Sequence, residues 1–592
     1  MAPRRISPGE RGYALMMVLL LCSVATYMVA SLMRYTSATS ELNRRSNEYS
    51  ETTAAAEACV ERVLGKIQVD YQIDAEGRVI ANMDGYRSSV PTSSEDGVWS
   101  RFAFTDAQGN SAKTFVKKMS SDINPPYVAL QNQFKGLNGF ASTYRIVSNV
   151  QMNNQRKVTG TAQEDVQLAE IPVFQFAIFY NGLLEFTWAA PLIVRGRVHA
   201  NGDIYVGSSC DLTFDRQVTC TGKILSPAWG GHTPGQYTGG VYYNGQPPPG
   251  FLTGVPAITL PIGLDNSPSA VREILNPPPA DESPTSDIGK QRYYNLANLQ
   301  ITVGSSAVQI SVKSSAGDSS PSTISFAAAS TFLSTNVTFY DQREAKNIRT
   351  TQIDMGKFRT WMATNATVAG KCPPASNPIG VVYVNDTRPT TSSYLSGIRL
   401  VNADTLPSDG LTIATPNPLY IKGNYNCPNS AHRNTSNTSE TAPASIASDA
   451  LTILSSNWDD SKSSLGFSSR NDAVNTTINA AIITGAVDST ASDDDHFSGG
   501  VMNLPRLLED WGNGKSTKLT LNTSMVKLFY SLKATTQFQS PGIYYYAPIR
   551  DFNFDQNFTD PSKLPPATPR MRAMIRATYA NPPPGSVTYN AP

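Results

Sequence analysis

The chain has few charged, cysteine and histidine residues for its length. Its 592 residues carry 48 Lys and Arg against 47 Asp and Glu, a net charge of +1 with only 16% charged residues. A general nucleic-acid binder presents an excess of basic residues, and none exists in this sequence. We therefore expect no nucleic-acid partner.

The common metal and catalytic motifs are also missing. The six cysteines form no CxxC pair, and the four histidines form neither an HxxxH nor an HExxH pattern. Gly514-Lys515-Ser516 resembles the end of a phosphate-binding loop, but Glu509 stands where that loop requires its first glycine. No serine lies in a GxSxG motif. These absences predict a protein that is not an enzyme and that needs no cofactor.

A long uncharged run near the N-terminus is the most informative feature that is present. Residues 12–33 contain no Asp, Glu, Lys or Arg, and Arg4, Arg5 and Arg11 precede them. About 20 apolar residues are needed to cross the ~30 Å hydrocarbon core of a bilayer. A secretory signal peptide has a shorter apolar core, of about 7–15 residues. The run therefore predicts a membrane anchor that lies in lipid.

The charges beside the run predict its orientation. Basic residues favour the cytoplasmic side, so residues 1–12 are expected to be a cytoplasmic leader and residues 13–33 a transmembrane helix. The protein would then be a single-pass inner-membrane protein with its body in the periplasm or outside the cell.

The helical pattern continues beyond the membrane. No Gly or Pro occurs between Tyr35 and Leu64, and weakly apolar residues recur there at spacings of three and four. We expect a stalk helix over 34–70 that continues the membrane helix. An unbroken helix from Tyr13 to Ile67 would be about 80 Å long at 1.5 Å per residue.

The N-terminal sequence resembles a known family. "ERGYALMMVLLL", followed by "ASLMRYTSATSELNRRSNEYSETTAAAEACVERVL", is similar to the N-terminal region of PilX-like minor pilins of type IV pilus systems. The resemblance implies packing of the helix into a filament core with other pilin-like subunits and the pilus assembly machinery. It also places a prepilin cleavage site between Gly12 and Tyr13. Most pilins carry Glu at the fifth mature position, where this chain has Met17, a departure shared by some minor pilins that are often placed at a filament tip.

The rest of the chain divides by sequence style. The predicted regions are a small pilin-like α+β region (71–170), a first β-solenoid-like segment (171–227), a Pro/Gly-rich excursion (228–290), a main β-solenoid-like body (291–560) and an irregular C-terminal tail (561–592). Two alternating runs on either side of Asn153-Asn154 predict a long hairpin in the first of these regions.

Short apolar strands that end in Gly, Asn or Asp predict the architecture of the body. From Ile171 onward they are four to six residues long, and after Leu299 they recur every 20 to 30 residues. No strict period is apparent, so we expect an irregular right-handed β-helix. A β-sandwich would give similar strands but favours cleaner alternation. The fold class is thus mainly β with a long N-terminal α-helix.

A second resemblance covers most of 171–560. "FQFAIFYNGLLEF", "FYDQREAKNIRTTQIDM", "GLTIATPNPLYIKGNYN" and "GGVMNLPRLLEDW" are similar to an uncharacterised family of extracytoplasmic β-rich domains that follow PilX-like N-termini in large bacterial proteins. This resemblance implies an architecture but no activity. The Pro/Gly-rich excursion is interpreted as a surface excursion, either a binding loop or a spacer.

A few side chains are candidates for chemistry. Cys210 and Cys220 could pair, since a disulfide is permitted outside the cytoplasm and neighbouring strands would bring their Cα atoms within the needed ~6 Å. Asp493, Asp494 and Asp495 supply oxygen ligands that suit Ca²⁺, but their spacing is not that of a calcium-binding loop, so a solvated loop is the default interpretation.

Two function classes remain open. The favoured one is a structural or adhesive pilin-like component whose body contacts a surface or a polysaccharide. The alternative is a tethered β-helix protein that binds or cleaves carbohydrate, with Asp341 and Glu344 as the paired carboxylates that such hydrolysis uses. Tyrosines such as Tyr242 and Tyr544 would then stack on sugars.

Overall fold

A computed structural model gives the structure of most of the chain. It describes residues 8–106, 109–120, 124–186, 191–207, 209–226, 239–246, 248–372, 379–489, 497–539 and 542–583, with side chains from Tyr13 onward. The fold is mainly β with a long N-terminal helix, as the sequence predicts.

The N-terminal helix α1 (Pro8–Ala81) has two parts with different surroundings. Up to Asn47 its described side chains are exposed, and from Glu48 onward one side is buried. The exposed part contains the only described helical segment that is long and apolar enough to cross a membrane, with a mean hydropathy of 2.2 over 18 residues. From Tyr13 to Asn47 it is about 50 Å long at 1.5 Å per residue.

The helix runs further than the predicted end of the stalk at residue 70. It continues to Ala81 after a break at Asp74 and Ala75, whose backbone angles are not helical. Asp70 holds the segment after the break, because its carboxylate accepts hydrogen bonds from Arg78 Nε at 2.8 Å and from the Tyr86 hydroxyl at 2.5 Å. This bend turns the end of α1 onto the sheet.

A small sheet packs against the buried side of α1. After the short helix α2 (Met83–Arg87), the strands are β1 (Phe102–Thr105), β2 (Phe115–Lys118), β3 (Tyr127–Ala129), β4 (Asn138–Met152) and β5 (Thr159–Pro172). The β4–β5 pairing runs from Phe140↔Glu170 to Gln151↔Thr159, which confirms the predicted hairpin. Apolar side chains of α1, such as Val63 and Ile67, share a core with Ile146 and Val166 of the sheet.

A large β region follows this sheet. Its first strands are β6 (Phe176–Tyr180), β7 (Leu184–Glu185), β8 (Leu192–Val194), β9 (Arg197–Ala200), β10 (Ile204–Tyr205), β11 (Leu212–Phe214), β12 (Val218–Cys220), β13 (Ile224–Leu225), β14 (Val241–Tyr243) and β15 (Phe251–Leu252). Next come α3 (Pro268–Arg272), α4 (Asp287–Gln291), α5 (Tyr293–Leu296), β16 (Leu299–Val303), β17 (Val308–Val312), β18 (Ser322–Ile324), α6 (Phe326–Ala329), β19 (Leu333–Asp341), β20 (Lys346–Asp354), α7 (Met355–Thr364) and α8 (Ala366–Lys371).

The last group completes the chain. It consists of β21 (Val381–Asp386), β22 (Tyr394–Ala403), β23 (Leu411–Ala414), β24 (Leu419–Tyr425), β25 (Ala444–Ser448), β26 (Leu451–Leu454), β27 (Thr476–Asn479), β28 (Ala481–Thr484), β29 (Pro505–Leu507), β30 (Lys518–Thr523), β31 (Met525–Lys527), β32 (Ile549–Phe554) and β33 (Arg570–Ala580).

Strand β33 returns to the N-terminal sheet. It pairs with β5 in antiparallel register, from Arg570↔Pro172 to Ala580↔Gln163. The predicted irregular tail over 561–592 is therefore wrong for these residues, because Arg570–Ala580 pairs in register with β5 and buries Met571, Ala573 and Ile575. We call α1 from Glu48, α2, β1–β5 and β33 the N-terminal unit, and residues 173–569 the β body. The β body is thus inserted between two neighbouring strands.

Parallel strands form the larger sheets of the β body. The longest sheet has the order β15-β12-β9-β6-β31-β28-β25-β23-β21-β16-β17-β18, and every pairing from β15 to β16 is parallel. A nine-stranded sheet contains β19, β20, β22, β24, β26, β27, β29, β30 and β32. Side chains from both sheets form the main hydrophobic core between them.

The outer face of the longest sheet is covered as well. Residues between β15 and β16 cross it, and Ile258, Ile274 and Leu275 are buried against Tyr383 and Ile483 of the sheet. A parallel sheet needs apolar cover on both faces. The prediction that 228–290 is a surface excursion is therefore wrong for the buried apolar part of this crossing segment, while 277–287 does lie at the surface.

A row of asparagines lines one turn of the stacked strands. Asn479, Asn522 and Asn553 are partners in register on β27, β30 and β32. Asn522 Nδ2 donates to Asn479 Oδ1 at 2.7 Å and to the Thr435 carbonyl at 2.9 Å, and Asn522 Oδ1 accepts from Asn553 Nδ2 at 3.3 Å. Each amide thereby satisfies the next, which allows buried polar groups at this turn.

The central amide of this row can be tested by substitution. We expect Asn522→Ala to lower the stability of the β body by about 1–3 kcal/mol, because it leaves buried partners of Asn522 unsatisfied. The measurement is thermal unfolding of the detergent-solubilised chain followed by circular dichroism. Asn336→Ala, at an exposed position of β19, is the matched control. Equal unfolding midpoints for the two variants would contradict this role.

Candidate functional site: a cleft between the N-terminal unit and the β body

The carboxylates Asp341 and Glu344 lie at the end of β19 and in the turn that follows it. Both are buried, at 3% and 7% exposure. Asp341 Oδ1 accepts the backbone N–H groups of Arg343 and Glu344 at 2.8 and 3.0 Å, and its Oδ2 accepts the Tyr420 hydroxyl at 2.7 Å. Burial raises the pKa of Asp341. The Asp341 carboxylate is therefore engaged within the protein.

Glu344 is engaged in the same way. Its Oε1 accepts from Arg506 Nη1 at 2.6 Å, and its Oε2 accepts from the Thr536 hydroxyl at 3.1 Å. Arg506 also donates to the Ala534 carbonyl at 2.5 Å. All four oxygens of the two carboxylates thus have protein partners, an arrangement that fits a buried structural network better than an open catalytic pair.

The other residues singled out by sequence are dispersed. Asp493, Asp494 and Asp495 lie outside the described residues, and no described group of three or more His, Cys, Asp or Glu could hold a metal ion. Gly12 and Tyr13 lie within α1, where the Tyr13 side chain is 80% exposed.

The predicted Cys210–Cys220 disulfide is not formed in the structure. Cys220 points into the main core, with its Sγ 3.4 Å from the Gly222 carbonyl oxygen. Cys210 is half-buried in the turn before β11. The two side chains therefore occupy different surroundings.

The tyrosines proposed to stack on sugars are also separated. Tyr242 is half exposed, at 50%, on β14, whereas Tyr544 and Tyr545 are buried. Tyr544 and Tyr545 stack on each other with ring centroids 5.5 Å apart. They belong to the core, so these tyrosines form no shared aromatic platform.

A large cleft lies where the N-terminal unit meets the β body. We call it the junction cleft. Its volume is about 750 Å³, within the range of small-ligand sites. One wall comes from 132–137 of the N-terminal unit, and the other from 195–197, 215–217 and 554–559 of the β body.

Arg197 joins the two walls. It is buried, and it donates to the backbone carbonyls of Lys135 at 2.9 Å and Gln133 at 2.5 Å. Burial lowers the pKa of Arg197 to about 10, so the guanidinium is still charged at neutral pH. Its Nε has no hydrogen-bond partner among the described residues. Arg197 thus holds the two walls of the cleft together through two N–H groups, while its Nε–H group has no partner among the described residues.

Gln217 forms part of the lining of the cleft and is unusual in its hydrogen bonding. It is 2% exposed, and neither its amide oxygen nor its amide nitrogen has a partner in the described part of the chain. A buried unsatisfied polar group costs about 1–3 kcal/mol, so such groups are rare and call for an explanation. A polar ligand in the cleft would supply one if the amide turned toward it, because neither amide atom is exposed in the structure.

The charge of the junction cleft is strongly asymmetric. Its cationic lining residues are Lys135, Arg195, Arg197 and Arg216, and Asp215 is the one acidic side chain in the described lining. The whole chain has a net charge of only +1, so this is a local concentration of positive charge. Such a cleft attracts anions.

Sequence reasoning missed this site. Arg195 and Arg197 lie at the junction of β8 and β9, and Arg216 lies between β11 and β12, so no continuous basic run marks them in the sequence. No protein-family model, no curated protein and no solved structure matches the chain.

The buried network around Glu344 generates a prediction about stability. We expect Glu344→Gln to destabilise the β body by about 3–5 kcal/mol, because it leaves the buried Arg506 charge uncompensated. The double variant Glu344→Gln/Arg506→Gln should recover part of this loss, since both charges are then absent. Thermal unfolding of the detergent-solubilised chain measures both effects.

The control is Asp84→Asn, at an ion pair with Arg87 in which the Asp84 side chain is 94% exposed. An exposed pair contributes about 0–1 kcal/mol, so its removal should change little. A stable Glu344→Gln variant that loses polysaccharide cleavage shown by the parent would reverse our interpretation in favour of a catalytic carboxylate.

Proposed function

We propose that the chain is a membrane-anchored, pilin-like subunit that displays a β-solenoid body as a structural or adhesive component of a type IV pilus-like system. The observation that carries this proposal is the N-terminal unit. The part of α1 from Glu48 packs on the antiparallel sheet of this unit, and the part before it is exposed and largely apolar, which is the arrangement expected of a pilin-like subunit.

The exposed half of α1 supports assembly through the helix. Tyr13 to Met33 is apolar and makes no contact that buries it against the described part of the chain. Exposed apolar surface of this length needs either lipid or other proteins around it. In the membrane lipid would surround it, and in a filament the helices of neighbouring subunits would replace that lipid.

The strand order of the β body supports a solenoid. Ile178, Val198 and Val218 are register partners 20 residues apart on β6, β9 and β12. Leu184, Ile204 and Ile224 are register partners at the same spacing in a separate parallel sheet. Successive strands of the chain therefore stack on strands one repeat earlier, as in the coils of a β-helix.

The insertion of the β body between β5 and β33 explains how the N-terminal unit could hold the β body in a fixed position. The β body is connected to the N-terminal unit at both of its ends, through β5 and through β33. Two connections, together with the contacts of Arg197, restrict rotation of the β body relative to the sheet. A body held in this way would be carried in a fixed position by the helix that anchors it.

The orientation follows from charge. Arg4, Arg5 and Arg11 favour a cytoplasmic N-terminus, so the β body would be periplasmic or extracellular. Under this proposal the chain is processed by a prepilin peptidase, which hydrolyses the peptide bond between Gly12 and Tyr13. The partners are membrane lipid, other pilin-like subunits and the assembly machinery.

Mass spectrometry of the mature N-terminus tests this proposal. In cells that contain a prepilin peptidase, we expect the mature chain to begin at Tyr13 and to require detergent for extraction. Gly12→Val should retain the leader, because the proposed processing depends on that glycine. Gly9→Val, within the same leader, is the control and should be processed normally.

Two results would refute the pilin-like assignment. One is a parent chain that still begins at Met1 in cells that process other prepilins. The other is full-length material that remains in solution after membranes are removed without detergent.

A further inference from the structure

We propose that the junction cleft binds a carboxylate-bearing oligosaccharide, such as a run of uronic acid units in an acidic polysaccharide. This inference goes beyond anchoring and assembly, since it assigns a ligand class to a named site. It rests on the unsatisfied groups of Gln217 and Arg197 and on the charge of the lining.

The cationic side chains of the cleft indicate that the ligand carries negatively charged groups. Arg195 and Arg216 are exposed at the cleft, and Arg197 lies in its wall. A guanidinium offers a planar fork of donors that matches a carboxylate in a bidentate arrangement. Within the described lining only Asp215 opposes these charges, so a neutral ligand would leave most of the cations without a counter-charge.

The side-chain amides of the cleft indicate that the ligand also carries hydroxyl groups. Gln217, Asn244, Gln246 and Gln556 line the same cleft. A side-chain amide both donates and accepts hydrogen bonds, so it pairs with hydroxyl groups, which do the same. A ligand rich in hydroxyls with interspersed carboxylates satisfies both sets of side chains, and that combination is characteristic of acidic polysaccharides.

One aromatic ring adds an apolar surface. Phe554, at the end of β32, lines the cleft and is partly exposed. A single ring suits the apolar face of a sugar, whereas unspecific binding of single-stranded nucleic acid uses a series of rings on a basic groove. The observations thus favour a glycan over a nucleic acid.

Gln217 gives the sharpest variant. Gln217→Met keeps a similar side-chain volume and removes two unsatisfied buried polar atoms, so the variant should be as stable as the parent or more stable. If the amide serves the ligand, the same variant loses affinity while its unfolding midpoint stays the same or rises. If the amide takes no part in binding, the affinity is unchanged, so the affinity of this variant decides between the two cases.

The experiment is titration calorimetry of the detergent-solubilised full chain with a short oligogalacturonate. We expect binding that weakens as salt is raised, because the attraction between exposed charges is screened. Arg195→Gln/Arg216→Gln should weaken binding by about tenfold or more, since hydrogen bonds to charged groups are the strong ones. Both residues are exposed, so the variant is expected to fold, and circular dichroism checks this.

The controls isolate charge, position and ligand class. Arg359→Gln removes an exposed arginine of α7, away from the cleft lining, and should leave affinity unchanged. The methyl ester of the oligogalacturonate has no free carboxylates and should not bind. Inorganic phosphate should fail to displace the oligosaccharide at equal concentration.

Four outcomes would overturn the inference. In the first two, the parent chain does not bind the oligogalacturonate at all, or it binds the methyl ester as tightly as the free acid. In the other two, the Arg359→Gln control loses as much affinity as the Arg195→Gln/Arg216→Gln variant, or phosphate displaces the oligosaccharide, which would indicate a general anion site. The assay uses the full chain in detergent and does not depend on prepilin processing. Its failure is therefore distinguishable from failure of the pilin-like assignment.

Discussion

The pairing of β33 with β5 is the interaction on which the organisation of the molecule depends. It returns the chain, after the whole β body, to the sheet that it left at Pro172. Side chains reinforce the backbone pairing: Arg576 contacts both Glu164 of β5 and Glu61 of α1, and the Tyr579 hydroxyl donates to Glu57. One strand thereby ties together the helix, the sheet and the end of the β body.

A second constraint sets the shape of the β body. A parallel sheet has two apolar faces, and each must be covered. The inner face of the longest sheet meets the nine-stranded sheet, while the outer face meets the crossing segment that carries Ile258 and Ile274. The crossing segment between β15 and β16, which separates two groups of strands in the sequence, thus supplies the apolar cover that the outer face of the sheet needs.

Local patterns in the sequence were sufficient for some elements and not for others. The uncharged run that ends at Met33 and the alternation around Asn153 depend on neighbouring residues, so the long apolar helix and the hairpin could be predicted. The return of β33 depends on a partner about 400 residues earlier, and no local signal reports that. The 20-residue spacing of Ile178, Val198 and Val218 was present in the sequence, but three short strands per repeat obscured it.

The candidate site was beyond the reach of the sequence for the same reason. Single arginines and glutamines are ordinary surface residues until the topology brings them to one place. Asp341 and Glu344 attracted attention because they are close in sequence, yet their partners Tyr420 and Arg506 come from distant strands. Proximity in sequence therefore indicated a pair of carboxylates whose oxygens are bound within the protein, and it gave no indication of the junction cleft.

The order in which the chain fills the longest sheet has a consequence for biogenesis. Strand β6 lies in the middle of that sheet, and its second neighbour β31 is synthesised far later, with Met525 opposite Ile178. Until β31 arrives, β6 has an open edge with unpaired backbone groups, and such edges are prone to intermolecular association. Contacts between residues so far apart also slow folding. The folding chain would therefore pass through an intermediate in which the edge of β6 stays open until β31 pairs with it.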